Sequence, residues 1–196
     1  MRLQHMPIKI AIVYYSGQGH TQKVAEYVQR GVEQIQGCQA TLICVNQLED
    51  VTVLNPYHMI VMGAPVYMGS VPYQFKAFMD RCSNVWFQQQ WKGKLAAGFA
   101  NSFGLAGDKF NVLMQMVTFA AQQGMLWVPL GIGTATSSED EMGNPVILNR
   151  LGGSLGLITQ SDNQDPTTTP GISDCQTAQL FGQRISQVAQ QYWQKN

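Results

Sequence analysis

Residues 8–21 read IKIAIVYYSGQGHT, and they give the strongest indication of the fold. Residues 8–15 are apolar and β-branched apart from one lysine, which is typical of a strand buried on both faces. The glycine-rich residues 16–21 lead into a helical pattern with apolar side chains at intervals of three and four. A strand, a glycine-rich turn and a helix in this order predict the first unit of a parallel α/β sheet.

The alternation of strand and helix continues along the rest of the chain. Further strands are predicted at residues 40–45, 58–64, 94–100 and 125–128, with residues 155–159 completing the fifth. Residues 130–154 are rich in Gly, Ser and Asn, which predicts a long loop. Five strands alternating with helices predict a doubly wound, five-stranded parallel sheet of order 2-1-3-4-5 with helices on both faces. The sequence contains no internal repeat, and residues 1–196 are expected to form a single domain.

The composition excludes several classes of partner. Lys plus Arg equals Asp plus Glu, at 12 each, so no basic surplus favours nucleic acid or an anionic membrane surface. No apolar run approaches the ~20 residues of a membrane span, and the N-terminal residues lack a signal-peptide pattern. The four cysteines are scattered without metal-ligand spacing, which indicates reduced thiols. We therefore expect a cytoplasmic protein without a metal site.

The first loop at the carboxyl ends of the strands has the character of an anion site. It consists of Ser16, Gly17, Gln18, Gly19, His20 and Thr21. Its glycines allow a tight turn that aims N–H groups inward, its hydroxyls add donors, and a helix begins there. Neither the GxxxxGK[ST] nor the GxGxxG pattern is present, so the loop suits one terminal phosphate bound without a lysine. A capped glycine turn without a ligand is the alternative, and the histidine either reaches the phosphate or only positions the loop.

Two further loops are predicted at the same end of the sheet. The second contains Pro65, Val66, Tyr67, Met68 and Gly69, of which the tyrosine and methionine offer flat or polarisable surface to a planar ligand. The third contains Asn101, Ser102, Phe103, Gly104, Leu105, Gly107 and Asp108. Either loop alone also fits an ordinary connection, but ligands of such sheets bind where these loops meet. No Ser-His-Asp or Cys-His arrangement indicates hydrolase chemistry.

Five stretches together resemble the flavodoxin superfamily, and specifically the WrbA-like flavoproteins. They are YYSGQGHT (14–21), GAPVYMGSVPYQFKAFMDR (63–81), WKGKLAAGFANSFGLAGDK (91–109), QQGMLWVPLG (122–131) and LGGSLGLITQSDNQ (151–164). The resemblance covers nearly the whole chain in order. It implies non-covalent FMN, with its phosphate at residues 16–21 and its ring bordered by residues 65–69 and 101–108. It also implies NADH or NADPH as electron donor and a quinone as acceptor.

The resemblance implies a substrate site as well. Tyr67 lies in the second loop, Trp86 matches a family tryptophan beside the substrate site, and Gln123 stands where the family has a histidine near the flavin. A core tryptophan is the alternative for Trp86. WrbA-like proteins pair sites across subunits, and the segment VWFQQQW is expected to place Trp86, Phe87 and Trp91 on the surface. We therefore expect a homodimer or homotetramer.

The sequence is compatible with three functions. The first is two-electron reduction of quinones by NAD(P)H through bound FMN, which needs no protein acid or base. The second is a flavodoxin-type electron carrier, although such carriers are typically acidic and this chain has no net charge. The third is a non-catalytic, flavin-binding regulatory module.

Overall fold

The computed structural model describes residues 6–193. Its strands are β1 Ile8–Tyr14, β2 Cys38–Cys44, β3 Met59–Pro65, β4 Leu95–Ser102, β5 Leu126–Trp127, β6 Thr136–Glu139, β7 Pro145–Leu148 and β8 Leu157–Gln160. Its helices are α1 His20–Glu33, α2 Tyr73–Arg81, α3 Ser83–Phe87, α4 Lys109–Gln122 and α5 Ile172–Trp193, with a turn of 3-10 helix at Val51–Leu54.

The main sheet is parallel, with the order β2-β1-β3-β4-β5. The predicted order is therefore confirmed. The fifth position is shared by two short strands, as the sequence indicated: β5 pairs with Leu95 and Ala96 at the start of β4, and β8 pairs with residues 99–102 at its end. Interruption of this position lets the chain leave the sheet and return to it.

The segment between β5 and β8 corrects the prediction of a long loop over residues 130–154. Strands β6 and β7 form an antiparallel hairpin there. The Asp140 carboxylate shapes its turn by accepting the backbone N–H groups of Met142 and Asn144, at 2.9 and 2.8 Å. Strand β7 buries Val146 and Leu148 and contacts α5. Strand β6 reads TSSE and β7 reads PVIL, so neither four-residue strand shows the alternation of apolar and polar residues by which a half-buried strand is recognised.

The core lies in two layers, one on each face of the sheet. Ile10 and Ile12 of β1 are fully buried in the layer with α1 and α5. Ala11 and Val13 point the other way, into the layer with α2 and α4. This alternation follows from the two-residue period of a strand, and burial on both faces explains why β1 reads as a continuous apolar run.

Helices α1 and α5 approach each other through glycine. A Cβ atom added to Gly31 would overlap the carbonyl oxygen of Gln179, and one added to Gly182 would overlap that of Val28. The two backbones are thus in direct contact, which fixes the position of α1 on the sheet. Since the loop of residues 16–21 leads into α1, this contact also positions that loop.

In the segment after α2, one tryptophan that was predicted at the surface is buried. Trp91 is fully buried, donates its indole N–H to the Asn55 side-chain oxygen at 2.9 Å, and packs edge-on against Phe119. The expectation of a surface position for Trp91 was therefore wrong, because the chain turns inward after α3. Trp86 and Phe87 are exposed, at 47% and 78%. Within residues 6–193, no helix has the length and apolar character that crossing a bilayer requires.

Candidate functional site

The 16–21 loop forms a small polar cup between β1 and α1. Gly19 adopts a left-handed conformation with φ of +90° immediately before the helix. Its N–H donates to the Ser16 hydroxyl oxygen at 3.0 Å, which closes the turn. No described residue accepts a hydrogen bond from the backbone N–H groups of Gly17, Gln18, His20 or Thr21. Unpaired N–H groups that converge at a helix N-terminus fit an anion.

Thr21 supplies a further donor at the base of this cup. It is only 2% exposed, yet its hydroxyl has no hydrogen-bond partner within residues 6–193. Thr21 lines the pocket and its oxygen is not among the fully buried polar atoms, so a ligand in the pocket can accept a hydrogen bond from it. The cup therefore fits a phosphate group, which would be held by uncharged donors.

The second loop is a two-residue hairpin turn at the rim of the same site. Tyr67 and Ser70 exchange two backbone hydrogen bonds of 3.0 and 3.1 Å. Met68 and Gly69 between them both have positive φ, of +50° and +77°, the pattern of a type I′ turn. The Asn111 side chain of α4 donates to the Gly69 carbonyl at 2.6 Å. This bond fixes a turn whose fully exposed methionine occupies a conformation unfavourable for a side chain.

Tyr67 reaches from this turn back to the 16–21 loop. Its ring lies edge-on to Tyr15, with centroids 6.2 Å apart, and a Cβ atom added to Gly17 would overlap its hydroxyl. Gln74 donates to the Tyr15 hydroxyl at 2.8 Å and holds that ring in place. Burial raises the pKa of Tyr67, so the phenol stays neutral. Gly17 is therefore required for the tyrosine to close one side of the pocket.

The third loop begins with a buried amide of fixed orientation. Asn101, only 4% exposed, accepts at its side-chain oxygen the hydroxyl groups of Thr159 and Ser161, at 2.8 and 3.0 Å. These two bonds occupy both lone pairs of the oxygen. The amide nitrogen has no partner among the described residues, so it is the group that remains for a ligand.

The structure adds a fourth loop that sequence reasoning missed. Ser161, Asp162 and Asn163 directly follow β8 and line the same pocket as the other loops. The rule that pointed to the first three, a position after the carboxyl end of a parallel strand, also applies here. The pocket has a volume of about 230 Å³ and is lined by Ser16, Gly17, Gln18, His20, Thr21, Pro65, Val66, Tyr67, Asn101, Ser102, Phe103, Ser161, Asp162 and Asn163.

The chain after the fourth loop also braces the cup. One ring nitrogen of His20 hydrogen-bonds the Gln164 carbonyl at 2.8 Å, and Pro166 packs against Gly19. Lys23 of α1 donates to the Thr167 and Pro170 carbonyls, at 3.2 and 3.0 Å. This hydrogen bond ties His20 to the chain after β8 and so fits the loop-positioning role, one of the two alternatives that the sequence left open for this histidine.

The remaining predicted residues lie outside this pocket. Met68 and Gly69 form the exposed turn at its rim, and Gly104, Leu105, Gly107 and Asp108 continue the third loop beyond the lining.

Gln123 and Trp86 lie at the opposite edge of the sheet. Helices α2 and α4 begin after the carboxyl ends of β3 and β4 and run back to the amino edge, where α3 follows. Gln123 is 3% exposed and donates to the Cys82 carbonyl at 3.4 Å. The structure therefore does not bring either residue to the pocket of its own chain, because a helix covering a parallel sheet carries its end to the far edge.

A parallel sheet of this order, with a cup of unpaired donors at the switch point between β1 and β3, defines an α/β protein whose ligand site lies at the carboxyl ends of its strands. Residues 11–133 match the flavodoxin domain family. The chain is 37% identical over 188 residues to "Flavodoxin FldP" of Pseudomonas aeruginosa, covering 93% of this chain and 97% of that protein. This protein belongs to the flavodoxin family, and its fold implies a flavin-binding site.

Two further comparisons refine the relationship. The crystal structure described as the flavodoxin, WrbA-like protein from Agrobacterium tumefaciens superposes with a TM-score of 0.71 at 32% identity, covering 94% of this chain and 98% of that one. A Chromohalobacter salexigens protein named NAD(P)H dehydrogenase (quinone) is 26% identical over 92% of this chain and 96% of its own length. The WrbA-like resemblance expected from the sequence motifs is confirmed.

Proposed function

We propose that this protein is an FMN-dependent NAD(P)H:quinone oxidoreductase. The observation that carries the proposal is the cup of residues 16–21, where four residues with unpaired backbone N–H groups line one pocket together with the unpaired Thr21 hydroxyl. Such a cup suits the single terminal phosphate of FMN better than the diphosphate of a dinucleotide. The name of the Chromohalobacter relative supports the reaction.

The chain's own residues would bind and orient the cofactor. Residues 16–21 would hold the phosphate, and residues 65–69 and 101–108 would border the ring. Bound FMN supplies hydride acceptance and two-electron transfer, so the protein needs no acid or base of its own. Tyr67 closes one side of the pocket, where its ring can stack on a planar nicotinamide or quinone. The Asn101 amide nitrogen offers a neutral hydrogen-bond donor beside it.

We further propose a homodimer or homotetramer. Trp86 is half-exposed at the edge of the sheet away from its own pocket, and the neighbouring Phe87 is 78% exposed. Adjacent exposed aromatic side chains favour burial against another copy. Trp86 would then contribute to a substrate site only across a subunit interface, whereas Gln123 is already enclosed within its own subunit. The four free cysteines are consistent with the reducing environment of the cytoplasm.

A flavodoxin-type electron carrier is the second candidate, because the relative at 37% identity is named a flavodoxin. The two functions differ in whether a nicotinamide reduces the bound flavin. The test is anaerobic mixing of the FMN-loaded protein with NADH or NADPH, followed by steady-state assays with benzoquinone. Bleaching of the flavin and parallel double-reciprocal lines support the reductase, with donor and acceptor using one site in turn. A flavin that neither nicotinamide bleaches supports the carrier.

A further inference from the structure

Lys109, the first residue of α4, is buried in an unusual way for a lysine. It is only 1% exposed, and its ammonium group donates to three successive backbone carbonyls, those of Gly104, Leu105 and Ala106, at 2.7, 2.9 and 3.4 Å. A lysine side chain has three N–H donors, so these contacts use all of them. The third loop therefore folds around a buried positive charge.

This arrangement determines where the N–H groups of the loop point. The only cis peptide bond among the described residues is Thr169–Pro170, so the peptide units of this loop are trans. In a trans unit the N–H group points opposite to the carbonyl of the preceding residue. The carbonyls face the buried ammonium, and the N–H groups of Leu105, Ala106 and Gly107 consequently face outward. None of them has a hydrogen-bond partner within residues 6–193.

The backbone at the end of this loop has a left-handed conformation at two consecutive residues. Gly107 and Asp108 both have positive φ, of +51° and +55°. A Cβ atom added to Gly107 would overlap the Ser102 hydroxyl, which itself donates to the Gly104 carbonyl at 3.0 Å. This conformation costs a glycine little but is unfavourable for Asp108 unless other interactions hold it. The three bonds from Lys109 hold the residues directly before these two and therefore favour this path of the backbone.

We propose that Lys109 is a positioning residue for the flavin ring: by holding three carbonyls on the buried side of the loop, it presents the N–H groups of residues 105–107 as donors to the ring edge. The inference rests on the proposed flavin site and adds a residue that does not itself touch the ligand. Lys109 also faces the ion pair of Arg150 and Asp174, whose guanidinium and carboxylate are 2.8 Å apart. Burial lowers its pKa to about 8, an effect that Asp174 opposes and Arg150 reinforces.

The chain offers a matched control for this lysine. Lys94, just before β4, also donates to two backbone carbonyls, those of Asn55 and Tyr57, at 2.7 and 2.5 Å. Burial likewise lowers its pKa. It lies at the amino edge of the sheet, away from the pocket. Lys94→Met therefore makes the same chemical change as Lys109→Met without reaching the third loop.

The test compares the affinity of the apoprotein for FMN and for riboflavin, which carries the ring without the phosphate, measured by quenching of flavin fluorescence. We expect Lys109→Met to lower the affinities for FMN and riboflavin by the same factor, roughly tenfold or more. This is the loss expected when one or two N–H donors no longer point at the ring. The absorption band of bound flavin should shift as well. Lys94→Met should leave both affinities at the wild-type value. Equal riboflavin affinity in Lys109→Met and Lys94→Met would overturn the inference.

A second measurement applies where Lys109→Met does not fold. Raising the pH from 7 to 9 removes the proton of Lys109 and leaves an amine with fewer donors and no charge, so the wild type should lose riboflavin affinity over this interval. Lys109→Arg, which stays charged, should show a flat profile. A flat wild-type profile would overturn the inference. A wild-type protein that takes up neither ligand would overturn the proposed function, and this inference with it.

Discussion

Replacing Thr21 by valine removes one hydroxyl from the cup and keeps the branched shape of the side chain. Thr21 is 2% exposed, and its hydroxyl has no partner among residues 6–193. In the apoprotein this hydroxyl makes no hydrogen bond to a described residue, so exchanging it for a methyl group should leave stability nearly unchanged. In the complex with FMN the same substitution should remove a hydrogen bond to a charged phosphate. The substitution should therefore separate ligand affinity, which falls, from stability, which does not.

The size of the second effect follows from the charge of the acceptor. Hydrogen bonds to charged groups contribute ~1.5–3 kcal/mol, which corresponds to roughly a tenfold to hundredfold loss of FMN affinity. Riboflavin lacks the phosphate, so its affinity should not change. Thr21→Ser keeps the hydroxyl and should bind FMN within a few-fold of the wild type. Ser16→Ala should also lower the affinity for FMN, because it removes a second hydroxyl, and this hydroxyl is also the acceptor of the Gly19 N–H.

The assay combines flavin-fluorescence titration with urea unfolding of the apoprotein. We expect Thr21→Val to lose FMN affinity while its unfolding midpoint stays at or above the wild-type value. The reasoning would be refuted if Thr21→Val and Thr21→Ser bound FMN equally well, since the phosphate would then lie elsewhere. A parallel loss of riboflavin affinity would mean that the substitution disturbs the whole loop.

Three further predictions concern packing, thiol chemistry and assembly. Gly182→Ala should destabilise the protein by ~1–3 kcal/mol in urea unfolding, because the new methyl group separates two helix backbones in contact; an unchanged midpoint would contradict that contact. Burial raises the pKa of Cys82 to about 12 and of Cys175 to about 11, so both thiols remain protonated at pH 8. A disulfide reagent should therefore modify the half-buried Cys44 first. Rapid modification of all four thiols would disprove this. Phe87→Arg should lower the mass measured by light scattering, whereas a wild-type monomer at micromolar concentration would reject the proposed assembly.

Most of the fold could be predicted because its signals are local. Burial of both faces of β1 requires a continuous apolar run, and that run is legible at residues 8–15 without any knowledge of neighbouring strands. The split fifth strand was also recognisable, since each half is apolar on its own. The hairpin of β6 and β7 was not, because its short strands are specified by packing of Val146 and Leu148 against the body of the protein.

The candidate site could be predicted in part for a similar reason. The carboxyl ends of parallel strands meet at one edge, so the order of elements alone placed the 16–21, 65–71 and 101–109 loops together. The fourth loop, beginning at Ser161, obeys the same rule but follows a strand that the sequence shows only as the end of an interrupted one. Gln123 was associated with the site through family resemblance, and that resemblance contains no information on which edge of the sheet its side chain occupies.

Neighbouring residues alone specify the type and order of the elements and the glycine-rich cup, because periodicity and backbone freedom are local properties of the chain. Only the folded structure, by contrast, shows which polar groups are left without partners. The free Thr21 hydroxyl, the oriented amide of Asn101 and the ammonium of Lys109 beneath its three carbonyls each depend on what residues distant in sequence do, or do not, supply. Hydrogen bonding is a pairwise property of atoms in space, so a group's availability to a ligand is settled only once the chain is folded.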